Sequence, residues 1–582
     1  MMKNIKLILI LGVLVFTSNS CEKDFLEEEP LDFLSSANAF NSSAGFESST
    51  NNLYFLVRDM LFTRNETTPF EYSYRTDIGL FVPSSNPPNL DGELAPTGGM
   101  PTNHWNSWYK VVSEANTIIS RLEFSDLKEE EAKIFEARAK FFRAYAYSRL
   151  AYLFGGVPIL AEEVTSPKTD YVRATREQVY ALCIEDLIFA GENLKGITEV
   201  KDGEVSNLAA KHLLAEVYNT NGNYDKAIAA ASDVINDPAT ALMTSRFGSR
   251  QSETPGDVYW DLFRKNNQNR SAGNTESILV MQIEDDTPGG AGDTTISGWP
   301  FNSVYNLERV HEPLIRDVRL PDSDGNLLAM AYWPASDYTS GGRGVGFLAP
   351  SDYFVHNAYQ AGDPSDFTND IRNANHNFVR KFEVTRPGND LYPVGTLIDF
   401  DDIPEGAKGF SGADLVSGDV FNRAMYPFQT KATTIGNHPS NLYEGSTEYP
   451  DLLKHSAAGT FRDEYLFRLA GTYLLRAEAY LGNGDLTSAA ADINVVRARS
   501  NASAISSSQV DIDFILDERM REFGIEEKRM FTLMRLGKWY DRIIKCNPFY
   551  AQSAEQRYNL WPIPFAEIER NTDTELEQNP GY

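Results

Sequence analysis

The sequence is poor in cysteine, in positive charge and in metal-binding motifs. Only 3 of its 582 residues are cysteine, too few for a disulfide framework, and no Cys or His spacing typical of a zinc site occurs. Lys and Arg total 53 against 82 Asp and Glu, so the formal net charge is −29. Because a polyanion is repelled by phosphate backbones, we expect no nucleic-acid binding.

Long hydrophobic runs are also missing, which predicts that the mature chain has no transmembrane helix. The apolar run at residues 7–16 is too short to span a bilayer, and it lies between the basic residues Lys3 and Lys6 and Cys21. This order predicts a signal peptide over residues 1–20 and lipidation of Cys21. Plain secretion with Cys21 as a free thiol is the alternative.

Residues 21–30 form an acidic, polar stretch after the cysteine. A stretch of this kind does not pack, so it predicts a solvated tether between an acyl anchor and a folded body. It also resembles the export signal of surface lipoproteins. We therefore expect the protein at the cell outer membrane, facing the exterior and touching the membrane through its lipid anchor alone.

Helical periodicity dominates two parts of the chain. Residues 105–193 carry apolar side chains at three- and four-residue spacing, and Gly155 and Pro158 end one of the helices. A tetratricopeptide-like pattern, with a small residue, a tyrosine and a turn glycine, occurs at residues 215–227 and again at 477–489. Since the two copies lie far apart, we expect helix pairs distant in sequence to pack into one body.

Residues 245–465 have a different character. Gly, Pro, Asn, Asp and Ser interrupt them throughout, and short strands such as residues 277–283 replace helical periodicity. Helices return at residues 467–499 and 512–544. A helical scaffold carrying a long, aromatic-rich loop region predicts a binding face, because loops on rigid supports usually carry function.

The reactive residue types form no recognisable catalytic or metal motif. Carboxylate pairs such as Glu526 with Glu527 are unavoidable among 82 acidic residues, so we interpret them as solvated surface rather than a glycosidase pair. Residues 322–326 resemble the start of a calcium loop, but Trp333 stands where the bidentate Glu belongs, which favours a simple Asp-Gly turn. We predict no catalytic residue, no metal ligand and no cofactor; a structural calcium is conceivable but not indicated.

The most specific motifs lie towards the C-terminus. Residues 515–535 read ILDERMREFGIEEKRMFTLMR, and residues 560–582 contain LWPIP and end in NPGY. Trp105 with Tyr109, the FGGVP of residues 154–158 and the segment 373–382 precede them in order. Together these motifs resemble the SusD/RagB family of outer-membrane nutrient-binding lipoproteins, although four positions depart from the family pattern: Glu527, Lys528, Met530 and Thr532.

The resemblance implies a mainly α protein with the SusD-like fold, in which tetratricopeptide-like helix pairs form a scaffold for a loop-rich, short-strand ligand-binding region. It implies an N-terminal helical region at residues 31–240 and a C-terminal region at 241–582. The latter would comprise a loop-rich part, a helical part and a signature, at residues 245–465, 467–545 and 560–582. A SusC-like TonB-dependent outer-membrane transporter is the implied partner, and no enzymatic activity is implied.

Aromatic residues flanked by turn residues are our candidates for ligand contact, because the C–H faces of sugars stack on aromatic rings. The candidates are Trp299, Tyr332, Trp333, Tyr338, and Tyr74 with Arg75. We expect Trp299 and Trp333 to face solvent. Trp105 and Trp561 match scaffold motifs, so we interpret both as structural.

The leading hypothesis is a cell-surface glycan-binding lipoprotein for nutrient uptake, which captures oligo- or polysaccharide and delivers it to the transporter. A peptide-binding uptake protein of the same fold is the second hypothesis. A surface glycoside hydrolase and a purely structural tetratricopeptide scaffold are the remaining alternatives.

Overall fold

The computed structural model describes residues 40, 42–62, 70–82, 89–287, 290–292, 305–337, 341–417, 422–457 and 459–582. The predicted signal peptide, Cys21 and the tether lie outside these residues. Helices dominate the described residues, as predicted for a mainly α fold, and no helix among them combines the length and hydropathy needed to cross a bilayer.

The N-terminal part of the scaffold is a series of antiparallel helices. Those of at least seven residues are α1 (Ser43–Leu61), α2 (Gly99–Leu122), α3 (Glu129–Phe154), α4 (Arg176–Asn193), α5 (Asn207–Thr220) and α6 (Tyr224–Ile235). Each packs against the next in sequence. Helix α3 ends where predicted, because Gly155 adopts a φ of 76° that glycine tolerates without strain.

The C-terminal part continues the scaffold. Its helices are α7 (Leu469–Gly482), α8 (Leu486–Arg499), α9 (Ile512–Phe523), α10 (Arg529–Arg535) and α11 (Trp539–Cys546). Shorter α-helices are Leu90–Glu93, Val258–Asp261, Leu307–His311, Asp366–Asn369, Pro548–Ala551 and Phe565–Arg570.

The two tetratricopeptide-like pairs, α5–α6 and α7–α8, pack directly against each other through α6 and α7. Asn219 donates from its side-chain amide to the Leu475 carbonyl at 2.7 Å, and the His212 ring lies 2.8 Å from the Thr472 hydroxyl. Gly482 allows close approach, since a Cβ there would lie 2.5 Å from the Tyr224 ring. The prediction that pairs distant in sequence form one body is confirmed.

Between these pairs, the described chain has only short helices and contributes all strands but one, at Gly79–Phe81, to a set of two-stranded sheets. The strands are β1 (Gly79–Phe81), β2 (Ser277–Met281), β3 (Glu284–Asp285), β4 (Ala291–Gly292), β5 (Arg319–Pro321), β6 (Leu327–Ala329), β7 (Leu348–Pro350), β8 (Phe378–Val379), β9 (Lys381–Glu383), β10 (Leu397–Asp399), β11 (Phe428–Gln429) and β12 (Glu464–Arg468). They pair as β1–β7, β2–β12, β3–β4, β5–β6, β8–β11 and β9–β10, of which β3–β4 is parallel.

Residues 322–326 make the turn of the β5–β6 hairpin. The Asp322 carboxylate accepts hydrogen bonds from the backbone N–H of Asp324 at 3.0 Å and of Asn326 at 2.7 Å, and Gly325 has a φ of 82°. The carboxylate is therefore engaged by its own loop, as an Asp-Gly turn requires.

A network of buried ion pairs holds the loop region against the scaffold. Glu518 on α9 accepts from Arg372 in the loop region at 2.8 Å, from Arg497 on α8 at 2.9 Å and from Arg521 at 2.6 Å. The side chains of all four residues are at most 1% exposed. Burial alone would raise the pKa of Glu518, but the surrounding guanidinium groups hold it well below its usual value.

Glu522, one helical turn further along α9, extends the network. Its carboxylate accepts from Arg372 at 3.0 Å and also pairs with Arg468 of β12 and Arg499 of α8. Helix α9 thus binds a strand, a helix and a loop through two adjacent carboxylates. Residues 517–522, which read DERMRE and are called the DERxRE motif below, therefore have a structural role in this chain.

We expect Glu518→Gln to destabilise the protein strongly. Removing this charge leaves Arg521 without its carboxylate partner and takes one of the partners of Arg372 and of Arg497. Breaking a buried pair costs about 3–5 kcal/mol. The free energy of unfolding, measured in urea, and the melting temperature test this. Arg570→Gln, which breaks an exposed pair with Glu567, is the control and should change little. Equal effects of the two changes would contradict a central role for the network.

Candidate functional site

The loop region contains an open cleft of about 210 Å³ formed by three chain segments. Side chains from the segments 332–337, 383–385 and 449–452 line it: Tyr332, Ala335, Asp337, Glu383, Thr385, Tyr449, Pro450, Asp451 and Leu452. Backbone hydrogen bonds hold the segments together, from Ser336 to Asp451 at 2.8 Å and from Leu453 to Pro334 at 2.9 Å. The walls of the cleft are therefore fixed by main-chain pairing rather than by side chains alone.

Two tyrosine rings form the aromatic part of the cleft. The rings of Tyr332 and Tyr449 are in direct contact, inclined to each other by 38°, and the Arg386 guanidinium lies 5.4 Å from the Tyr332 centroid. Both tyrosines are half-buried. These contacts cover part of each ring, and the part that stays exposed is the surface on which sugar C–H groups would stack.

Three carboxylates accompany the two rings. Asp337, Glu383 and Asp451 line the same cleft, together with the hydroxyl-bearing Thr385. Burial, with a smaller contribution from Asp337, raises the pKa of Asp451. The cleft therefore offers hydrogen-bond acceptors for hydroxyl or ammonium groups and carries negative potential.

Beneath the cleft, a buried Glu–His–Ser chain supports its wall. The Glu308 carboxylate lies 2.8 Å from Nε2 of His438, whose Nδ1 lies 2.6 Å from the Ser336 hydroxyl. Burial alone would raise the pKa of Glu308, but His438 and neighbouring N–H and O–H donors hold it below its usual value.

The same three residue types form catalytic triads in hydrolases, but here the hydroxyl is already occupied. Ser336 is 2% exposed, and its Oγ accepts hydrogen bonds from the Gly436 N–H at 2.8 Å and the Tyr443 hydroxyl at 3.3 Å. With both lone pairs engaged, the oxygen is not available for attack. We assign the chain of three residues a structural role.

Trp333 is adjacent to the cleft, but its ring packs against other side chains of the protein. Its half-buried ring packs against a second hydrophobic core, formed within the loop region by residues such as Leu320, Phe382 and Phe428. The guanidinium groups of Arg316 and Arg343 lie 4.9 Å and 5.5 Å from the centroid of the ring. His455 packs edge-on at 5.5 Å. Trp333 is therefore half-buried, as Tyr332 is, rather than facing solvent as we expected, and its role in ligand contact stays a prediction.

Tyr74 and Arg75 lie elsewhere. Tyr74 is 2% exposed and packs in the main core, so its ring presents no face to a ligand, and Arg75 pairs with Glu93. Nearby Asp77 accepts from the buried guanidinium groups of Arg529 and Arg542, and its pKa falls to about 2 despite burial. This segment takes part in buried ion pairs, so we leave Tyr74 and Arg75 out of the candidate site.

Of the other candidates, Trp299, Tyr338 and the lipidation residue Cys21 lie outside the described residues. The cleft instead contains Tyr449, which the sequence analysis missed. Tyr449 precedes Pro450 among turn residues, the same aromatic–proline pattern as Trp333 with Pro334. Applying that pattern consistently would have identified it.

A larger cleft of about 420 Å³ lies on the helical scaffold. Trp105, Tyr109 and Tyr171 line it. Trp105 is 4% exposed and packs edge-on against Phe154 at 5.2 Å, while the Tyr109 hydroxyl donates to the Pro158 carbonyl at 2.7 Å. Because the Trp105 and Tyr109 side chains are held by contacts within the scaffold, we treat this cleft as the second candidate for the ligand site.

Comparisons with known proteins agree on the fold. The profile described as "Starch-binding associating with outer membrane" matches residues 24–218, and the profile of the SusD family matches residues 324–582. A SusD-like protein of Formosa agariphila is 24% identical over the full length of both chains. The starch-binding protein SusD of Bacteroides thetaiotaomicron is 36% identical over 121 residues, 20% of this chain and 21% of that protein.

Solved structures are similar over most of the chain. A laminarin-binding SusD-like protein superposes with a TM-score of 0.59 at 22% identity, covering 93% of this chain and all of the other. Surface glycan-binding protein A of Bacteroides thetaiotaomicron, in complex with laminarihexaose, gives 0.62 at 18% identity, with 92% and 99% covered. The helical scaffold, the inserted loop region and both profile matches show that this chain belongs to the SusD/RagB family.

Proposed function

We propose that this protein is a lipid-anchored, cell-surface glycan-binding protein that captures oligosaccharide at the Tyr332–Tyr449 cleft and passes it to a TonB-dependent outer-membrane transporter. The observation that carries the proposal is the placement of two tyrosine rings beside three carboxylates, in loops held by main-chain pairing. Relatives whose names refer to starch, laminarin and laminarihexaose support a glucan as the ligand class.

The chemistry of the cleft favours an uncharged oligosaccharide. The rings supply stacking surface, while Asp337, Glu383 and Asp451 supply acceptors for sugar hydroxyls. A sugar bearing sulfate or carboxylate groups would be repelled by these carboxylates and by the net charge of −29. Affinity should be modest, roughly micromolar to millimolar, since an open cleft buries only part of a hydrated ligand.

The same carboxylates favour a basic peptide as the second candidate ligand. Lysine and arginine side chains of such a peptide would pair with the three carboxylates. The two ligands differ in salt dependence, because only the peptide contacts rely on charge. Calorimetric titrations with laminarihexaose, maltohexaose and Lys/Arg-rich peptides at low and high salt separate them.

We expect Tyr332→Ala and Tyr449→Ala each to weaken oligosaccharide binding about tenfold or more, because aromatic contacts dominate shallow sites. The melting temperature should change little, since both rings are half-buried in an open cleft. Calorimetry with laminarihexaose and maltohexaose measures the affinities. Tyr171→Ala, in the larger scaffold cleft, is the matched control. Loss of binding in Tyr171→Ala alone would assign the ligand site to the scaffold cleft instead.

We infer that the protein binds its ligand without cleaving it. The acidic residues of the cleft are the groups a glycosidase would use, so the inference needs a direct assay. Prolonged incubation with laminarin and starch should release no reducing ends above the level of buffer. Release that disappears in Glu383→Gln would identify a hydrolase instead.

We expect Cys21→Ala to abolish partition of the protein into membranes. The described helices include none able to span a bilayer, and a multiply acylated cysteine gives stable anchoring at about 0.8 kcal/mol per buried CH₂. Fractionation of cells with detergent phase separation measures the change. The Cys183→Ala variant is the control, because Cys183 is fully buried in the core. A Cys21→Ala protein that stayed in the membrane fraction without its transporter would refute the anchor.

The proposed delivery role requires a transport channel. We expect a TonB-dependent barrel to co-purify with the wild-type protein after mild detergent extraction, through an interface above roughly 1,000 Å². Lipid anchoring would favour the pairing by raising the local concentration of the protein at the membrane. Deleting the protein should slow growth on limiting polysaccharide and spare growth on its monomer. A pull-down without a barrel, together with unchanged growth, would leave an isolated binding protein.

A further inference from the structure

A small cavity of about 90 Å³ lies where the N-terminal scaffold meets the C-terminal helices. Helix α3 contributes Arg149, α5 contributes His212 and Glu216, and α9 and α10 contribute Arg519 and Arg535. The cavity is separate from the Tyr332–Tyr449 cleft and shares no lining residue with it.

Five cationic side chains line this cavity: Arg149, Arg468, Arg519, Lys528 and Arg535. Three carboxylates line it with them, and Arg468 and Arg535 also pair with carboxylates just outside the lining, Glu276, Glu522 and Glu478. Burial lowers the pKa of His212 to about 4, so that ring is neutral at pH 7. Each of the lining arginines has a carboxylate partner among the described residues, so an anion here would be held by N–H donors that these pairs leave free and by Lys528.

Three guanidinium groups at the cavity each keep a buried N–H without a partner. Arg149, Arg519 and Arg535 pair with Glu216, Glu527 and Glu478 respectively through their other nitrogens. Nε of Arg149, Nη1 of Arg519 and Nε of Arg535 have neither solvent exposure nor a hydrogen-bond acceptor. A buried charged donor left unsatisfied is costly, and three of them around one cavity indicate a missing acceptor.

Lys528 is a further cationic group at the cavity and, unlike the three arginines, it lacks a close counter-charge. No carboxylate of the described residues lies within 4.0 Å of its Nζ, which instead sits 4.1 Å from the centroid of the Phe62 ring. Burial lowers its pKa to about 8, against the raising effect of Glu464 and Glu526. An ammonium group in this position gains more from an anion than from a neutral molecule.

We propose that this cavity binds a small inorganic anion, of the size of chloride or phosphate, which accepts hydrogen bonds from the three free guanidinium N–H groups. An engineered cavity of about 150 Å³ holds one benzene molecule, so 90 Å³ is too small for a hexose ring. The site is therefore not a second glycan subsite. The anion would join α3 and α5 of the N-terminal scaffold to α9 and α10.

Crystals of the wild-type protein grown in sodium bromide test the proposal directly. We expect an anomalous difference peak in the cavity, beside Arg149, Arg519 and Arg535. Water molecules alone in the cavity, at high bromide and at high phosphate, would overturn the proposal. This measurement does not depend on the folding of any variant.

Thermal unfolding supplies a solution test. Gluconate, which is too large for the cavity, serves as the reference anion, and it is replaced by chloride or phosphate at constant ionic strength. The melting temperature should rise and then level off as the cavity fills. The expected rise is about 1–2 °C at an anion concentration of tenfold the dissociation constant. Arg519→Gln should lose the saturable rise, whereas Arg570→Gln, at an exposed arginine, should retain it. The same rise in Arg519→Gln as in the wild type would contradict the assignment of this cavity.

Discussion

The buried ion pairs of α9 are the interaction on which the rest of the structure depends. Glu518 and Glu522 lie on one face of this helix and bind arginines from the loop region, from β12 and from α8. Separating any one of these elements would leave charge in a low-dielectric interior without compensation. The network therefore couples the inserted residues 245–465 to the scaffold more specifically than apolar contacts would.

This coupling explains how a long, irregular segment holds a defined cleft. Its sheets have two strands each, and such small sheets are marginal on their own. They are stabilised by a second hydrophobic core, by the anchored Arg372 and by the pairing of β2 with β12 directly before α7. The rings of Tyr332 and Tyr449 can then be partly exposed while the backbone that carries them stays fixed.

The distribution of charge separates two kinds of site. Carboxylates line the open cleft beside the tyrosine pair, whereas guanidinium groups, Lys528 and three carboxylates line the small cavity. An acidic, solvent-facing cleft suits a neutral ligand with many hydroxyl groups, and unpaired guanidinium N–H donors suit an anion. The departures from the family pattern fall in the scaffold: Glu527 pairs with Arg519 and Arg529, Met530 is buried, and Thr532 donates to Glu527 at 2.9 Å. The side chains of Glu526 and Glu527 are each 7% exposed and paired with arginines, so our interpretation of this pair as solvated surface was wrong.

The sequence by itself determined the family, the helical scaffold and its tetratricopeptide-like pairs, because helical periodicity, turn glycines and the DERxRE and LWPIP motifs are local signals. It also identified the structural roles of Trp105 and Trp561, which are buried as expected. Only the tertiary structure decided which aromatic residues are accessible. Tyr74 and Trp333 have the same turn-flanked pattern as Tyr332, yet the first is buried and the second packs between arginines. The exposure of an aromatic side chain depends on its contacts with residues distant in sequence. Tyr332 contacts Tyr449 only because strands and loops more than a hundred residues apart are paired.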